Sequence, residues 1–211
     1  MKWGPDLAYA VGLFTADGCI QSDGRHLDFT SKDKDQVQTF RRILKLGNRI
    51  SFKFSSTGNE RKYFRIQFGN KEIYSFFLEI GLMPRKSRRL GPLKIPNCYF
   101  ADFLRGYLDG DGYTNSYWDP RWRSSFMLYL GFASASPVYI RWLRDKIKEI
   151  YKITGVIEDG SKPTYQLRFA KKSSLLLIKK MYYHPEVSCL RRKKIKIQKS
   201  LDIIKRQAEV S

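Results

Sequence analysis

The chain has 211 residues, which suits one large or two small domains, and 42% of them are hydrophobic, enough to form a core. It carries 40 Lys and Arg residues against 20 Asp and Glu, so its formal net charge is +20. Such self-repulsion costs stability and favours a polyanionic partner. Nucleic acid fits better than a membrane surface, because the basic residues are spread along the chain and interleaved with aromatic ones instead of clustering on one amphipathic helix.

Composition also excludes several classes. No run approaches the roughly 18 apolar residues of a membrane span, and no signal peptide opens the chain. The three cysteines, Cys19, Cys98 and Cys189, include no C-x-x-C pair. This argues against a disulfide framework or a structural zinc site, and for an intracellular protein, either cytoplasmic or organellar.

In chain order, the first predicted element is a helix that starts at Gly4-Pro5 and ends before Gly18, read as the residue after the helix. A second helix, roughly 33–46, has an apolar stripe. Strands at 49–54 and 62–68 follow, because polar and apolar residues alternate there with period two. The predicted apolar face consists of Ile50, Phe52, Phe54, Phe64, Ile66 and Phe68.

The second half of the chain repeats this layout. LAYAVGLFTADG (7–18) matches ADFLRGYLDGDG (101–112), LDFTSKD (27–33) matches LGFASAS (130–136), and YFRIQF (63–68) matches YQLRF (165–169). Phe126, Leu128, Leu130 and Phe132 form the predicted buried face of a strand, and a helix is expected over 136–151. Both halves close with basic segments, 84–89 and 191–196.

These patterns predict an α+β fold: a pseudo-twofold duplication of an αββαββα unit with two antiparallel sheets. The predicted boundaries are 1–92 for the first repeat, 93–98 for the linker and 99–211 for the second repeat.

The polar faces of the predicted strands are candidate DNA-contacting surfaces, since such a face is wide enough to lie in a major groove. An antiparallel sheet also exposes a polar face simply to be solvated, and the net charge favours the nucleic-acid interpretation. The candidate residues are Arg49, Ser51, Lys53, Tyr63, Arg65, Gln67, Arg123, Ser125, Tyr129, Gln166 and Arg168.

Small residues at helical spacing predict a close helix pair. Ala8, Gly12 and Ala16 are four residues apart on one face of the first helix, and Gly106 and Gly110 match two of them in the second repeat. If the helices pack through these positions, their C-terminal ends bring Asp17 and Asp111 together. A carboxylate is electrostatically unfavourable at a helix C-terminus. Its presence at the same position in both repeats therefore indicates a functional role. Two carboxylates with helix-end carbonyls form a hard-oxygen site suited to Mg²⁺.

AVGLFTADG (10–18) and LRGYLDGDG (104–112) resemble the LAGLIDADG motif of the homing endonuclease family, and IPNCYFADFLRGYLDGDG (95–112) resembles the usual entry into the second motif of single-chain members. The resemblance covers essentially the whole chain. It implies that Asp17 and Asp111 bind the catalytic metals, Mg²⁺ or another divalent cation such as Mn²⁺, with help from the carbonyls of Ala16 and Gly110.

The resemblance also implies a basic residue beside each active site, in the segment after the fourth strand. Lys86 and Lys193 fit these positions, although Arg192 competes with Lys193 and either lysine could instead be a solvated contact to backbone phosphate. Many relatives carry Gln near Ser31 and its counterpart Ser134, which leaves a water-ordering role in doubt here. Asp109 aligns with Thr15 and is expected to make a structural hydrogen bond.

The implied protein is a monomeric endonuclease whose sheets form a saddle along the major groove of double-stranded DNA and whose motif helices pack at the central axis. It would make a double-strand break at a long, specific site, with one aspartate per strand and 3′ overhangs. The alternatives are an RNA maturase or DNA-binding protein of the same family without cleavage, and a basic structural protein of a ribonucleoprotein.

Overall fold

The computed structural model describes residues 1–54, 62–122, 124–160 and 164–210. Its helices are α1 (Pro5–Asp17), α2 (Lys34–Ile43), α3 (Lys71–Glu79), α4 (Phe100–Asp111), α5 (Pro137–Tyr151), α6 (Lys171–Met181) and α7 (Arg191–Val210). Its strands are β1 (Gly18–Ile20), β2 (His26–Ser31), β3 (Ile50–Phe54), β4 (Lys62–Gly69), β5 (Gly112–Trp118), β6 (Phe126–Ser134), β7 (Val156–Asp159) and β8 (Tyr165–Phe169). Single 3₁₀ turns cover Lys86–Arg88 and Asn97–Tyr99. Among the helices described, none has the length and apolar character needed to cross a membrane.

The predicted duplication is confirmed. The order α1-β1-β2-α2-β3-β4-α3 recurs as α4-β5-β6-α5-β7-β8-α6, and only α7 lacks a counterpart among the described α-helices and strands. Each half has one four-stranded antiparallel sheet, with strand orders β1-β2-β4-β3 and β5-β6-β8-β7. The registers also agree, since Gly18 pairs with Phe29 in one sheet and Gly112 with Phe132 in the other.

The two motif helices, α1 and α4, form the most extensive contact between any two elements of the described chain. A Cβ added to Gly12 would lie 2.2 Å from the Phe103 carbonyl oxygen, and one added to Gly106 would lie 2.1 Å from the Tyr9 carbonyl oxygen. Such distances leave no space for a side chain, so the backbones can meet only because both positions are glycine. Ala8 is completely buried in the same helix.

Alternation along the strands places most apolar side chains in the core as predicted. Ile66 and Phe68 of β4 are buried, as are the four apolar residues of β6. The prediction is wrong for Phe52 and Phe54 in β3, which are 59% and 62% exposed. Strand β3 is an edge strand with a neighbour on one side only, and the Phe52 ring packs on half-buried Phe64 at a centroid distance of 5.3 Å.

Three further details differ from the sequence-based expectations or lie beyond the structure. Gly18 does not take the left-handed conformation common after a helix; its φ is −83° and it begins β1 directly. A Cβ there would lie 2.4 Å from the Phe14 ring, so close packing explains this glycine. Ser125 lies in the turn before β6 instead of on a strand. Arg123 falls outside the described residues.

Candidate active site

Asp17 and Asp111 end the two packed helices, so the helix contact brings the two carboxylates close enough to interact electrostatically. Both side chains remain open to solvent, yet the protein that surrounds them hinders their hydration. The pKa of Asp17 is raised from 3.8 to about 6, mainly by this desolvation and secondly by the negative charge of Asp111. Desolvation raises the pKa of Asp111 as well, against the opposing effect of Lys86 and Lys193.

Lys86 and Lys193 occupy matching places at the ends of the two motif helices. The Lys86 Nζ donates to the Ala16 carbonyl oxygen at 3.3 Å. The Lys193 Nζ donates to the carbonyl oxygens of Leu108, Gly110 and Gly112 at 2.6, 3.2 and 2.7 Å. Each lysine thus satisfies terminal carbonyls of a helix and places positive charge at the negative end of its dipole.

Burial lowers the pKa of both ammonium groups. Lys86 is buried in the 3₁₀ turn, and its pKa falls although Asp111 and Asp17 favour the charged form. The pKa of Lys193 falls to about 8, also because of burial. Arg192, the competing candidate, instead pairs with Asp33 through Nε at 2.8 Å and Nη2 at 2.7 Å. Lys193 is therefore the basic group that reaches the helix end.

Two pockets flank the helix ends and are related by the pseudo-twofold axis. The first, about 300 Å³, is lined by Asp111, Ala16 and Lys86 together with the residues that follow β6. The second, about 330 Å³, is lined by Asp17, Gly110 and Arg192 together with the residues that follow β2. Each pocket therefore combines a carboxylate from one motif with the carbonyl-bearing residue of the other.

The donors at these pockets fit a divalent hard cation. Neither Asp17 nor Asp111 accepts a hydrogen bond from another described residue, and each carboxylate is destabilised as an anion. Within the described parts of the chain, no three His, Cys, Asp or Glu side chains converge as a metal cluster would require. The protein ligands would therefore be two carboxylates and helix-end carbonyls, a sparse oxygen set that suits Mg²⁺, which retains several waters.

Ser31 and Ser134 are engaged locally. The Ser31 Oγ donates to the Gln36 Oε1 at 2.5 Å, and the Ser134 Oγ accepts from the Ser136 backbone N–H at 3.1 Å. Gln36 lies beside Asp17 in the second pocket, and its buried Nε2 has no hydrogen-bond partner among the described residues. Gln36 could not be predicted from the sequence, because a glutamine on an amphipathic helix gives no signal of its own.

Asp109 makes the structural hydrogen bonds expected of it. Its Oδ2 accepts from the Tyr9 hydroxyl at 2.8 Å and from the Leu190 backbone N–H at 2.7 Å. Burial raises its pKa to about 6. Nearby, the fully buried Arg105 donates to Asp102 and to the carbonyls of Met181 and Ser188. These bonds fix the segment that leads into α7, and no pattern in the sequence indicated them.

On the first sheet, the polar face carries most of the predicted contact residues. Thr30, Arg65 and Ser51 are neighbours in register across β2, β4 and β3, and Lys53 pairs with Tyr63. Arg65 forms an ion pair with Asp28, whose side chain is only 8% exposed. Arg49, Ser51, Lys53 and Gln67 are exposed.

The corresponding face of the second sheet is more aromatic. The Arg168 guanidinium lies 5.0 Å from the centroid of the Tyr129 ring and pairs with Glu158 at 2.6 Å. The Tyr113 hydroxyl donates to the Gln166 Oε1 at 2.9 Å, with its ring across Gly131. Two of the predicted contact residues, Gln166 and Arg168, are thus already engaged with their neighbours.

Comparison with known proteins agrees with this geometry. Residues 5–81 match the family described as LAGLIDADG-like domain. No curated protein matches the sequence. Among solved structures, the homing endonuclease I-WcaI bound to its DNA recognition sequence is similar with a TM-score of 0.65 and 14% identity, over 92% of this chain and 88% of that one. I-DmoI in complex with DNA and Mn gives a TM-score of 0.52 and 13% identity, over 85% and 98%.

Full-length DUF199/WhiA from Thermatoga maritima is also similar, with a TM-score of 0.61 and 15% identity. The match covers 98% of this chain but only 63% of that protein, so the present chain spans less than two thirds of its length. At these identities the structural matches establish the fold. The sequence match identifies a LAGLIDADG-like domain at residues 5–81, and the structural matches show that both halves together have the duplicated fold of the LAGLIDADG homing endonucleases.

Proposed function

We propose that the protein is a site-specific homing endonuclease that makes a double-strand break in a long DNA target. The observation that carries this proposal is the pair of pseudo-symmetric pockets, each with one solvent-accessible carboxylate whose pKa is raised. A protein that only bound DNA would not require carboxylates at the centre of a chain with net charge +20, since they repel phosphate. The DNA-bound state of I-WcaI is consistent with the proposal.

Asp17 and Asp111, with the carbonyls of Ala16 and Gly110, are the residues that would hold Mg²⁺ or Mn²⁺. Such ions lower the pKa of bound water and stabilise the leaving oxygen in phosphodiester hydrolysis. Asp17 and Asp111 each serve one strand, which leaves 3′ overhangs. Lys86 and Lys193 place positive charge beside the helix ends, where it stabilises the phosphate charge that develops in the transition state.

The polar sheet faces bind the duplex on either side of this centre. Their contact residues are Arg49, Ser51, Lys53, Tyr63, Arg65, Gln67, Arg123, Ser125, Tyr129, Gln166 and Arg168. Residues 1–92 and 99–211 form the two repeats, joined by 93–98, in which Leu93 and Ile95 are buried against the core. Because one chain supplies both pockets, a monomer suffices for cutting both strands.

Selection from a randomised DNA library tests the proposal and identifies the target sequence in the same experiment. The purified protein is incubated with the library and Mg²⁺, and fragments that carry new 3′ overhangs are captured and sequenced. We expect one long consensus site that the protein then cuts in a defined plasmid, with no cutting in EDTA. Binding to a consensus without cleavage in either Mg²⁺ or Mn²⁺ would overturn the nuclease assignment.

A DNA-binding protein without cleavage is the second candidate. It is favoured by the three carbonyl bonds of Lys193, since the ammonium group already binds the Gly110 carbonyl that a metal would use. An RNA maturase of the same family would likewise bind without cutting DNA. In the library experiment, either alternative yields no metal-dependent ends.

A further inference from the structure

Helix α7 is the one described α-helix without a counterpart in the first half, and it runs beside the edge strand β5. Its contacts advance along both elements. Lys193 and Lys196 donate to the carbonyls of Gly112 and Thr114, the Ser200 hydroxyl donates to the Ser116 hydroxyl, and Gln207 donates to the Ser124 carbonyl. The helix therefore covers an otherwise open sheet edge and leads from the catalytic centre outward to the β5–β6 turn.

Three cations of α7 form a row. Arg192, Lys199 and Arg206 are seven residues apart, so they fall in one row along the helix. The acidic residues Asp202 and Glu209 border this row, because each is three or four residues from Lys199 or Arg206. Their contacts lie on the side away from the row, since Asp202 accepts from Gln198 at 2.8 Å and Glu209 is 3.8 Å from Lys205. We call the row of Arg192, Lys199 and Arg206 the basic row.

Contacts at the start of α7 show which way each flank points. Lys194, Gln198 and Leu201 line a pocket with residues of α6, so the flank of α7 that carries them is turned towards α6. Arg192 points the opposite way and pairs with Asp33, and both line the pocket that contains Asp17. The basic row therefore lies on the side of the molecule where the catalytic carboxylates open.

The basic row also lies where the adjacent sheet has little unpaired positive charge. Arg168 is paired with Glu158 and stacked on Tyr129, and Tyr117 stacks on Tyr129 at a centroid distance of 6.2 Å. Lys199 and Arg206, by contrast, are exposed and form no ion pair or hydrogen bond with other described residues. Two exposed cations that form no ion pair among the described residues, in line with Arg192 beside a DNA-facing centre, are suited to phosphate oxygens.

We propose that the basic row of α7 contacts backbone phosphates of duplex DNA on the C-terminal side of the cleavage centre. The proposal rests on the proposed function, because it takes duplex DNA as the ligand. From Arg192 to Arg206 the helix advances about 21 Å, the length of about six base pairs. The row thus supplies sequence-independent affinity and register to the half whose sheet face is mainly aromatic.

The test compares two double variants of equal charge change in the full chain. Lys199→Ala with Arg206→Ala removes two members of the row, and Arg191→Ala with Lys205→Ala removes two cations from the other flank. Alanine favours the helix in all four positions, and circular dichroism verifies folding. Affinity for a fluorescein-labelled mixed-sequence duplex is measured by anisotropy from about 50 to about 200 mM salt.

We expect the slope of log affinity against log salt to become shallower by about 1.8 in the basic-row variant, since each lost phosphate contact contributes about 0.9. The matched variant should keep the parent slope. Equal changes in both variants, or no change in either, would overturn the proposal. If the parent cuts no library DNA but the basic-row variant still shows the selective loss, the nuclease function fails while the phosphate surface stands.

Discussion

The two halves of the molecule share a backbone plan but differ in the contacts at the end of each motif helix and in what each sheet face presents. In the first half, the buried Lys86 reaches one carbonyl from a 3₁₀ turn; in the second, Lys193 reaches three from the first turn of α7. The first sheet face carries a partly buried Arg65–Asp28 pair, and the second an exposed Arg168–Glu158 pair among tyrosines. Both halves have the glycine of the helix contact and the aspartate at the helix end, whereas their sheet faces differ.

The halves are also connected by reciprocal contacts at matching positions. Asp33 and Ser136 are equivalent N-cap residues of α2 and α5. Asp33 pairs with Arg192 from the other half, and the Ser136 hydroxyl donates to the Leu90 carbonyl oxygen of the other half at 2.6 Å. Each helix start is therefore bonded to the closing segment of the opposite repeat, so the two candidate sites are structurally interdependent.

The prediction with the largest expected effect asks whether both halves contribute to catalysis. Asp17→Asn and Asp111→Asn should each reduce double-strand cleavage more than about 100-fold, because a direct metal ligand should exceed the roughly 10–100-fold effect of an outer-shell partner. DNA affinity should stay within about tenfold, since phosphate contacts carry most of the binding. Linear and nicked products of a supercoiled plasmid containing the selected target are quantified.

Asp145→Asn, an exposed substitution on α5, is the matched control and should cut like the parent. If each aspartate serves one strand, the two variants should nick opposite strands. Parent-like linearisation by either variant in Mg²⁺ would show that its half does not supply a catalytic carboxylate.

The second prediction concerns the contact between α1 and α4, to which each half contributes one glycine. Gly12→Ala and Gly106→Ala should each destabilise the fold by about 1–3 kcal/mol, because the new Cβ would meet backbone of the opposite helix. In an exposed helix the same change should instead stabilise by roughly 1 kcal/mol. Gly12→Leu should lose cleavage even where some folded protein survives, since catalysis tolerates little misplacement. Thermal melts and a cleavage assay provide the measurements.

Gly47→Ala is the control, because nothing lies within 4 Å of a Cβ at that position. It should change stability by no more than about 0.5 kcal/mol. Alanine variants of Gly12 and Gly106 that are as stable as this control would contradict the close helix contact.

The sequence was informative wherever a pattern repeats. Period-two alternation predicted the buried face of β6, and the matched motifs predicted the helix pair and the convergence of Asp17 with Asp111. Contacts between residues remote in sequence and without a symmetric partner had no such signal: the buried Arg105, the pairing of Arg192 with Asp33, and the burial of Asp28 under Arg65. Alternation of polar and apolar residues wrongly assigned Phe52 to the core, because a local pattern cannot show that β3 lies at the edge of its sheet.

The third prediction contrasts the two sheet-face arginines. Arg65→Ala should destabilise the protein by about 1–3 kcal/mol, because it leaves the Asp28 carboxylate with the Thr30 hydroxyl as its remaining side-chain donor among the described residues. Arg168→Ala should cost no more than about 0.5 kcal/mol, since that pair is 44% and 38% exposed. Both variants should bind DNA more weakly. Denaturant melts and anisotropy measure the two effects.

Adding Asp28→Asn to Arg65→Ala removes the stranded charge and should recover most of the lost stability. Equal stability losses for the two arginine variants, or no recovery in the double variant, would show that the Arg65–Asp28 pair stabilises the fold no more than the Arg168–Glu158 pair does.

The prediction with the smallest expected effect compares the stability contributions of Asp17 and Asp111 in metal-free protein. The folded-state pKa of Asp17 is raised from 3.8 to about 6, so the folded state holds the proton more tightly than the unfolded chain. Stability should therefore fall as pH rises from about 4 to about 6, and the full cost of the ionised carboxylate is present above that window. Asp17→Asn removes this cost.

In EDTA, Asp17→Asn should consequently be more stable than the parent at about pH 7, by about 1 kcal/mol or less because solvent reaches the carboxylate and screens it. The advantage should vanish by about pH 4, where the parent is protonated as well. Asp111→Asn should show the same sign with a smaller gain, because desolvation alone raises the pKa of Asp111, whereas the charge of Asp111 adds to the rise for Asp17. Mg²⁺ should then reverse the order at neutral pH, since the ion stabilises only a folded parent that binds it. The test is thermal melting of the parent and both variants at the two pH values, with and without Mg²⁺. If Mg²⁺ does not change the melting temperature of the parent, and the parent is more stable than both variants, the carboxylates have a structural role instead.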